Sequence, residues 1–187
     1  MSDPVQAKST HANVIHAIAM GTFTPMLRVL ANLFDKATEH ARVAQRDPDA
    51  LADARLAPDM FPLVRQVQIG CDHAKTCAAL LAGQTAPRFE DTEKTLAELK
   101  ERIARTTAYL DAFSASAFEG AAEREIRHAL LNGLSLEMTG LQYLRDWALP
   151  HFYFHVVTAY DILRHNGVDI GKRDYLSYVG YAIRQAA

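Results

Sequence analysis

Two histidines, His151 and His155, stand four residues apart in a run with helical periodicity. On a wheel at about 100° per residue, with Leu144 at zero, Ala148 falls near 40°, His151 near 340°, His155 near 20° and Ile162 near 0°. Both imidazoles therefore lie in the middle of the apolar arc. Their spacing stacks them on one face with Cβ atoms about 5–6 Å apart, close enough for two rings to share one metal ion. A catalytic zinc-type centre needs three protein ligands and an open position, so the third donor must come from another helix. His73, in Gly70-Cys71-Asp72-His73-Ala74-Lys75, lies near the border of the arc built by Leu63, Val67, Gly70, Ala74 and Leu81. A modest rotation turns it inward. Asp72 or Asp161 is the expected acceptor that would orient a ring.

The same pair has a plainer reading as hydrogen-bonded core histidines, and spacing alone leaves both open. His11, His16, His40, His128 and His165 are read as surface or terminal residues. Phe152-Tyr153-Phe154, Trp147 and Tyr160 are read as packing, and Asp146 and Asp161 as solvated or salt-bridged acids. Cys71 and Cys77 have no metal or redox spacing and are read as small buried residues of a reducing compartment. No P-loop, dinucleotide fingerprint or GxSxG is present, so no nucleotide cofactor is expected.

The elements that must position these residues are helical. Val14 to about Val43 is expected as the first helix, interrupted early by Gly21 and Pro25. The second is expected from Pro58 or Asp59, the N-cap, to Leu81 or Ala82, with Gly83 as its stop. The third is expected from Phe89-Glu90-Asp91-Thr92 to about Phe113. Alternation at Ile126–Leu130 and Leu134–Met138 around Asn132-Gly133 predicts a β-hairpin. Thr139, with Gln142 three residues on, opens the fourth helix as a capping box. Asn166-Gly167 closes that helix, and Pro150 must kink or split it. A short helix is expected around Tyr175–Arg184. The predicted fold class is all-α: a four-helix bundle with a small β-hairpin between helices 3 and 4.

The chain has 187 residues, 49% hydrophobic and 22% charged, with 20 basic against 22 acidic side chains and a formal charge of −2. That length suits one domain, expected over residues 13–187 behind a frayed stretch 1–12. The near-neutral balance, with no basic cluster, argues against nucleic-acid binding or a charged membrane patch. The N-terminus lacks a signal-peptide core, and no stretch is read as long and apolar enough to span a bilayer, so a cytoplasmic location is expected.

Several longer strings carry a resemblance. They are Arg55-Leu56-Ala57-Pro58-Asp59-Met60-Phe61-Pro62-Leu63, Arg65-Gln66-Val67-Gln68, Phe152-Tyr153-Phe154-His155 and Ala159-Tyr160-Asp161-Ile162-Leu163-Arg164-His165-Asn166-Gly167-Val168, with Gly171-Lys172 downstream. Over roughly Leu27 to Tyr175 the chain resembles the bacterial domain of unknown function numbered 1993, a branch of the DinB/YfiT-like superfamily of metalloenzyme candidates. The resemblance implies a DinB-like four-helix bundle, a homodimer, and a divalent metal held by His73, His151 and His155. Zinc, nickel or iron suits those ligands, and thiol-transferase-like or hydrolase-like chemistry would fit such a centre. The alternative is a non-catalytic dimeric bundle that binds a small molecule or protein, with structural histidines. A third, weaker reading is a stress-response accessory protein without a small ligand.

Overall fold

The computed structural model describes residues 4–130 and 133–183, with side chains from His11 onward. Four long helices pack around one core. They are α1 (Pro4–Val43), α2 (Leu63–Leu81), α3 (Leu96–Asp111) and α4, which runs unbroken over residues 140–165. Helix α1 lies against α3 and α4, and α2 lies between α3 and α4. Between α3 and α4 sits the expected hairpin, β1 (Glu125–Ala129) antiparallel to β2 (Ser135–Thr139), with Ile126 opposite Met138 and His128 opposite Leu136. Asn132 of the expected turn lies outside the described residues, but Leu130 N–H donates to the Leu134 carbonyl across it, 2.8 Å. After α4 come a short α5 (Lys172–Tyr175) and a 3₁₀ turn (Ser177–Ala182), where one helix is expected from Tyr175 to Arg184, the last of which lies outside the described residues.

Helix α1 departs from expectation in two ways. It begins at Pro4, within the stretch 1–12 expected to be frayed, and Ala12 is already buried. It also runs straight through Gly21 and Pro25. Pro25 removes one backbone donor and crowds the carbonyl four residues back, a cost of about 3 kcal/mol in a helix interior. Phe23, Met26, Leu27 and Leu30, all fully buried around it, outweigh that cost, since each large side chain is worth about 1.5–3 kcal/mol on burial. Phe23 meets Phe152 of α4 edge-on at 4.9 Å. Contrary to the sequence reading, His11–Val43 is long and apolar enough, by length and composition, to cross a membrane; half of its most apolar window is buried inside the fold.

Two helix starts fall later than expected. Helix α2 begins after Pro62 rather than at Pro58 or Asp59. Pro62 holds Phe61 out of the helical region, and its own carbonyl accepts the first helical bond, from Gln66 N–H at 3.0 Å. Helix α3 begins at Leu96 rather than near Phe89, capped by Thr95 and Glu98 in a reciprocal box. The acids Asp91 and Glu93 and the Glu90 carbonyl, expected in its first turns, instead surround the buried guanidinium of Arg102. The stops agree with expectation: Gly83 (φ 70°) ends α2 and Gly167 (φ 90°) ends α4, both in the left-handed region that glycine adopts freely.

Helix α4 opens with the expected capping box of Thr139 and Gln142. It accommodates Pro150 without breaking. Residues Tyr143–Ala148 widen into a π turn, and Leu149 N–H donates five residues back to the Leu144 carbonyl. The extra residue shifts the ladder just before the position where proline lacks a donor. Gly140 lets this helix start hard against the chain: a Cβ there would sit 1.9 Å from the Ala121 carbonyl oxygen.

Candidate functional site

The three histidines singled out by the sequence come together between α2 and α4. The His73 ring lies 4.7 Å from the His151 ring and 5.8 Å from the His155 ring, with planes 29° and 16° apart. His155 is buried, while His73 and His151 are half-buried. Gly70, one turn before His73, faces the same helix; a Cβ at that position would touch the Cβ of His155 at 3.7 Å.

Hydrogen bonds hold the α4 rings from behind. His151 Nδ1 lies 2.8 Å from the Trp147 carbonyl, and His155 Nδ1 lies 2.7 Å from Gln66 Oε1. A carbonyl oxygen only accepts, so His151 carries a proton on Nδ1, and Nε2 is the nitrogen turned away from that bond. Gln66 was not singled out in the sequence. Its signal was there, because it stands seven residues before His73 and so shares its helix face. The acids expected to orient the rings do other work. Asp72 pairs with Arg102 at 3.1 Å and Lys75 at 2.9 Å, and Asp161 is exposed.

Burial governs the protonation of the cluster. His73 is pushed down to about 3, first by burial and then by the charge it would share with His151, His155 and His128. His155 is pushed down to about 4, first by burial and then by His151 and Arg65. Both are uncharged at neutral pH, the form in which imidazole binds metal. The donor set is thus chemically suited to a borderline divalent ion. The rings, however, are stacked rather than edge-on to a common point. Among the described residues, no group of three or more His, Cys, Asp or Glu side chains is arranged as a metal cage.

The remaining histidines are not all on the surface. His16 Nε2 lies 3.0 Å from the Phe113 carbonyl. His128 of β1 is half-buried, its ring 5.8 Å from Tyr143 and 6.5 Å from Trp147, and burial lowers its pKa. Trp147 packs on His151 at 4.2 Å. The Tyr143 hydroxyl and the Trp147 indole nitrogen are buried without a hydrogen-bond partner among the described residues. Both cysteines are buried free thiols. Burial raises Cys71 to about 12 and raises Cys77 further, so neither supplies a thiolate.

The fold of this chain has a structural counterpart. A DinB family member protein from Shewanella denitrificans, known from its crystal structure, superposes with a TM-score of 0.85 at 41% sequence identity, covering 96% of this chain and 98% of that one. The fold is therefore DinB-like. The family model for the domain of unknown function DUF1993 matches residues 15–176, and the chain belongs to that family. No curated protein matches it.

Proposed function

We propose that this DinB-family protein binds one divalent metal ion through His73, His151 and His155 and works as a metal-dependent enzyme of thiol-transferase or hydrolase type. One observation carries the reading. The His73 ring packs against both α4 imidazoles, while the Nδ1 atoms of those two are already engaged by Trp147 and Gln66. This pattern, in which a ligand histidine donates its other ring nitrogen to a fixed acceptor, is the usual support of a metal site. A bound zinc, nickel or iron ion would supply Lewis acidity toward a water or a thiol at its open position. The chain's own part is to keep His73 and His155 uncharged by burial and to fix the orientation of the α4 rings.

A second reading, a non-catalytic dimeric bundle with structural histidines, draws on the ring stack and on exposed apolar side chains nearby. Phe154, whose ring stands edge-on to His155 at 5.2 Å, is 59% exposed, and Phe61, whose carbonyl accepts from Gln66, is 56% exposed. Metal analysis of tag-free protein separates the two. Stoichiometric metal that is lost in His155→Ala, with a melting temperature that drops under chelator, supports the metal site, because an ion bound only to the native state adds stability. Metal-free protein indifferent to chelator and to added Zn²⁺, Ni²⁺ or Fe²⁺ overturns it, and a dimer by sedimentation that Phe154→Asp dissociates would then support the second reading.

A further inference from the structure

Gln66 sits at the junction of two directional bonds. Its Nε2 donates to the Phe61 carbonyl at 3.0 Å, and its Oε1 lies 2.7 Å from His155 Nδ1. The orientation of the amide is settled by chemistry. The Phe61 carbonyl can only accept, so the amide nitrogen must face it and the amide oxygen must face His155. An amide oxygen in turn can only accept, so the proton between the two groups belongs to His155 Nδ1. Nothing in a neutral imidazole forces that choice; its hydrogen-bond partner makes it. Gln66 is itself buried, and the Phe61 carbonyl is held in the turn that leads into Pro62 and α2.

We infer that Gln66 is the positioning residue of the cluster: it locks His155 in the Nδ1–H form, so that Nε2 is left as a lone pair available to an ion. The inference rests on the metal reading for its purpose, but not for its observable. A buried glutamine whose only role is packing would leave the tautomer free. A glutamine acting as a lock sets it in metal-free protein, before any ion binds.

The test is ¹⁵N NMR of the histidine rings in full-length, metal-free protein near pH 7, on wild type, Gln66→Met and Gln66→Glu. Methionine nearly matches the volume of glutamine but offers no strong acceptor. Glutamate restores the acceptor. The wild type is expected to show His155 protonated on Nδ1, Gln66→Met to lose that preference, and Gln66→Glu to restore the Nδ1 proton, alone or within the imidazolium that a carboxylate favours. Zn²⁺ titration should give about a 10–100-fold weaker Kd for Gln66→Met, the usual cost of losing an outer partner. A wild-type His155 protonated on Nε2 overturns the inference without any variant. So does a folded Gln66→Met that keeps the Nδ1–H form. If the tautomer moves as expected but wild type takes up no Zn²⁺, the lock stands and the metal reading falls.

Discussion

The neutral imidazoles of His73 and His155 make the stability of this fold depend on pH in a definite direction. Each titrates near 6.5 when exposed in the unfolded chain but only near 3 and near 4 in the native protein. Below pH 6.5 the unfolded state takes up protons that the folded state refuses, so acid favours unfolding and stability rises with pH. The sign follows from the depressed native values: the stabilisation is complete above the unfolded pKa and is lost as pH falls toward the native ones. Between pH 7 and pH 5 an imidazole that titrates only when unfolded costs about 2 kcal/mol. His155 is buried and should deliver most of that, while half-buried His73 is discounted for solvent screening, so the pair should cost about 2–4 kcal/mol. Stopping at pH 5 leaves the lowered carboxyls of Glu98 and Asp174 out of the window, because both are depressed and lose their contribution only below the ordinary carboxylate range. The assay is urea unfolding at pH 7 and pH 5 with chelator present throughout, on wild type and on a His73→Gln, His155→Gln double variant. The double variant should show a much flatter dependence. Equal stability of wild type at the two pH values, or an equal loss in the double variant, would refute the burial argument.

Three other perturbations have defined outcomes. Arg102→Leu removes a guanidinium that is fully buried and bonded to Asp72, Asp91 and Glu93, leaving buried Glu93 without a cation and Asp72 and Asp91 with only Lys75 and Arg65; urea unfolding should show a loss of about 3–5 kcal/mol, and a loss below 1 kcal/mol would mean the cluster is solvated. Gly140→Ala drives a methyl into the Ala121 carbonyl, so its melting temperature should fall with a destabilisation of about 1–3 kcal/mol, and an unchanged melt would show that the hairpin and α4 yield freely. Pro25→Ala returns a donor to the α1 ladder and should raise the melting temperature, by no more than the roughly 3 kcal/mol that a mid-helix proline costs; a fall would show that the ring's packing outweighs the missing bond.

What could be seen in the sequence was local chemistry. The Thr139–Gln142 box, the glycine stops at Gly83 and Gly167, the period-2 alternation of the hairpin and the i, i+4 pair of His151 and His155 each involve residues within a turn or two of one another. What could not be seen depends on partners far along the chain. The late start of α3 follows from Arg102, which holds Asp91 and Glu93 in the preceding loop although those acids suit a helix N-terminus by type. The passage of α1 through Pro25 is decided by its buried neighbours, against the residue's own preference. The π turn before Pro150 is a third way to satisfy a local conflict for which the sequence reading offers kinking and splitting. The acceptor for His155 was sought among acids because an acid is the conspicuous partner for imidazole. A neutral amide serves better in a buried site, since it orients the ring without drawing a second proton onto it.

The rotation of α2 explains why His73, placed on the border of its apolar arc by the sequence, faces α4. One step along a helix turns a side chain by about 100°. Gln68, Cys71, Asp72 and Lys75 belong to the charged side of α2: Asp72 meets Arg102, Gln68 Nε2 donates to Glu93 at 2.9 Å, and Lys75 returns to Asp72. Gln66, Gly70 and His73 belong to the other side, where Gln66 bonds His155, Gly70 meets its Cβ and His73 stacks on both α4 rings. Adjacent residues Asp72 and His73 thus serve opposite neighbours. Holding Asp72 on the buried guanidinium fixes the helix about its own axis, and that same angle carries His73 into the cluster. The clamp also explains a buried ion cluster that a full set of apolar side chains, replacing arginine and acids together, would match in stability: apolar residues would fill the space but would leave α2 free to turn, and with it the one imidazole that α4 cannot supply.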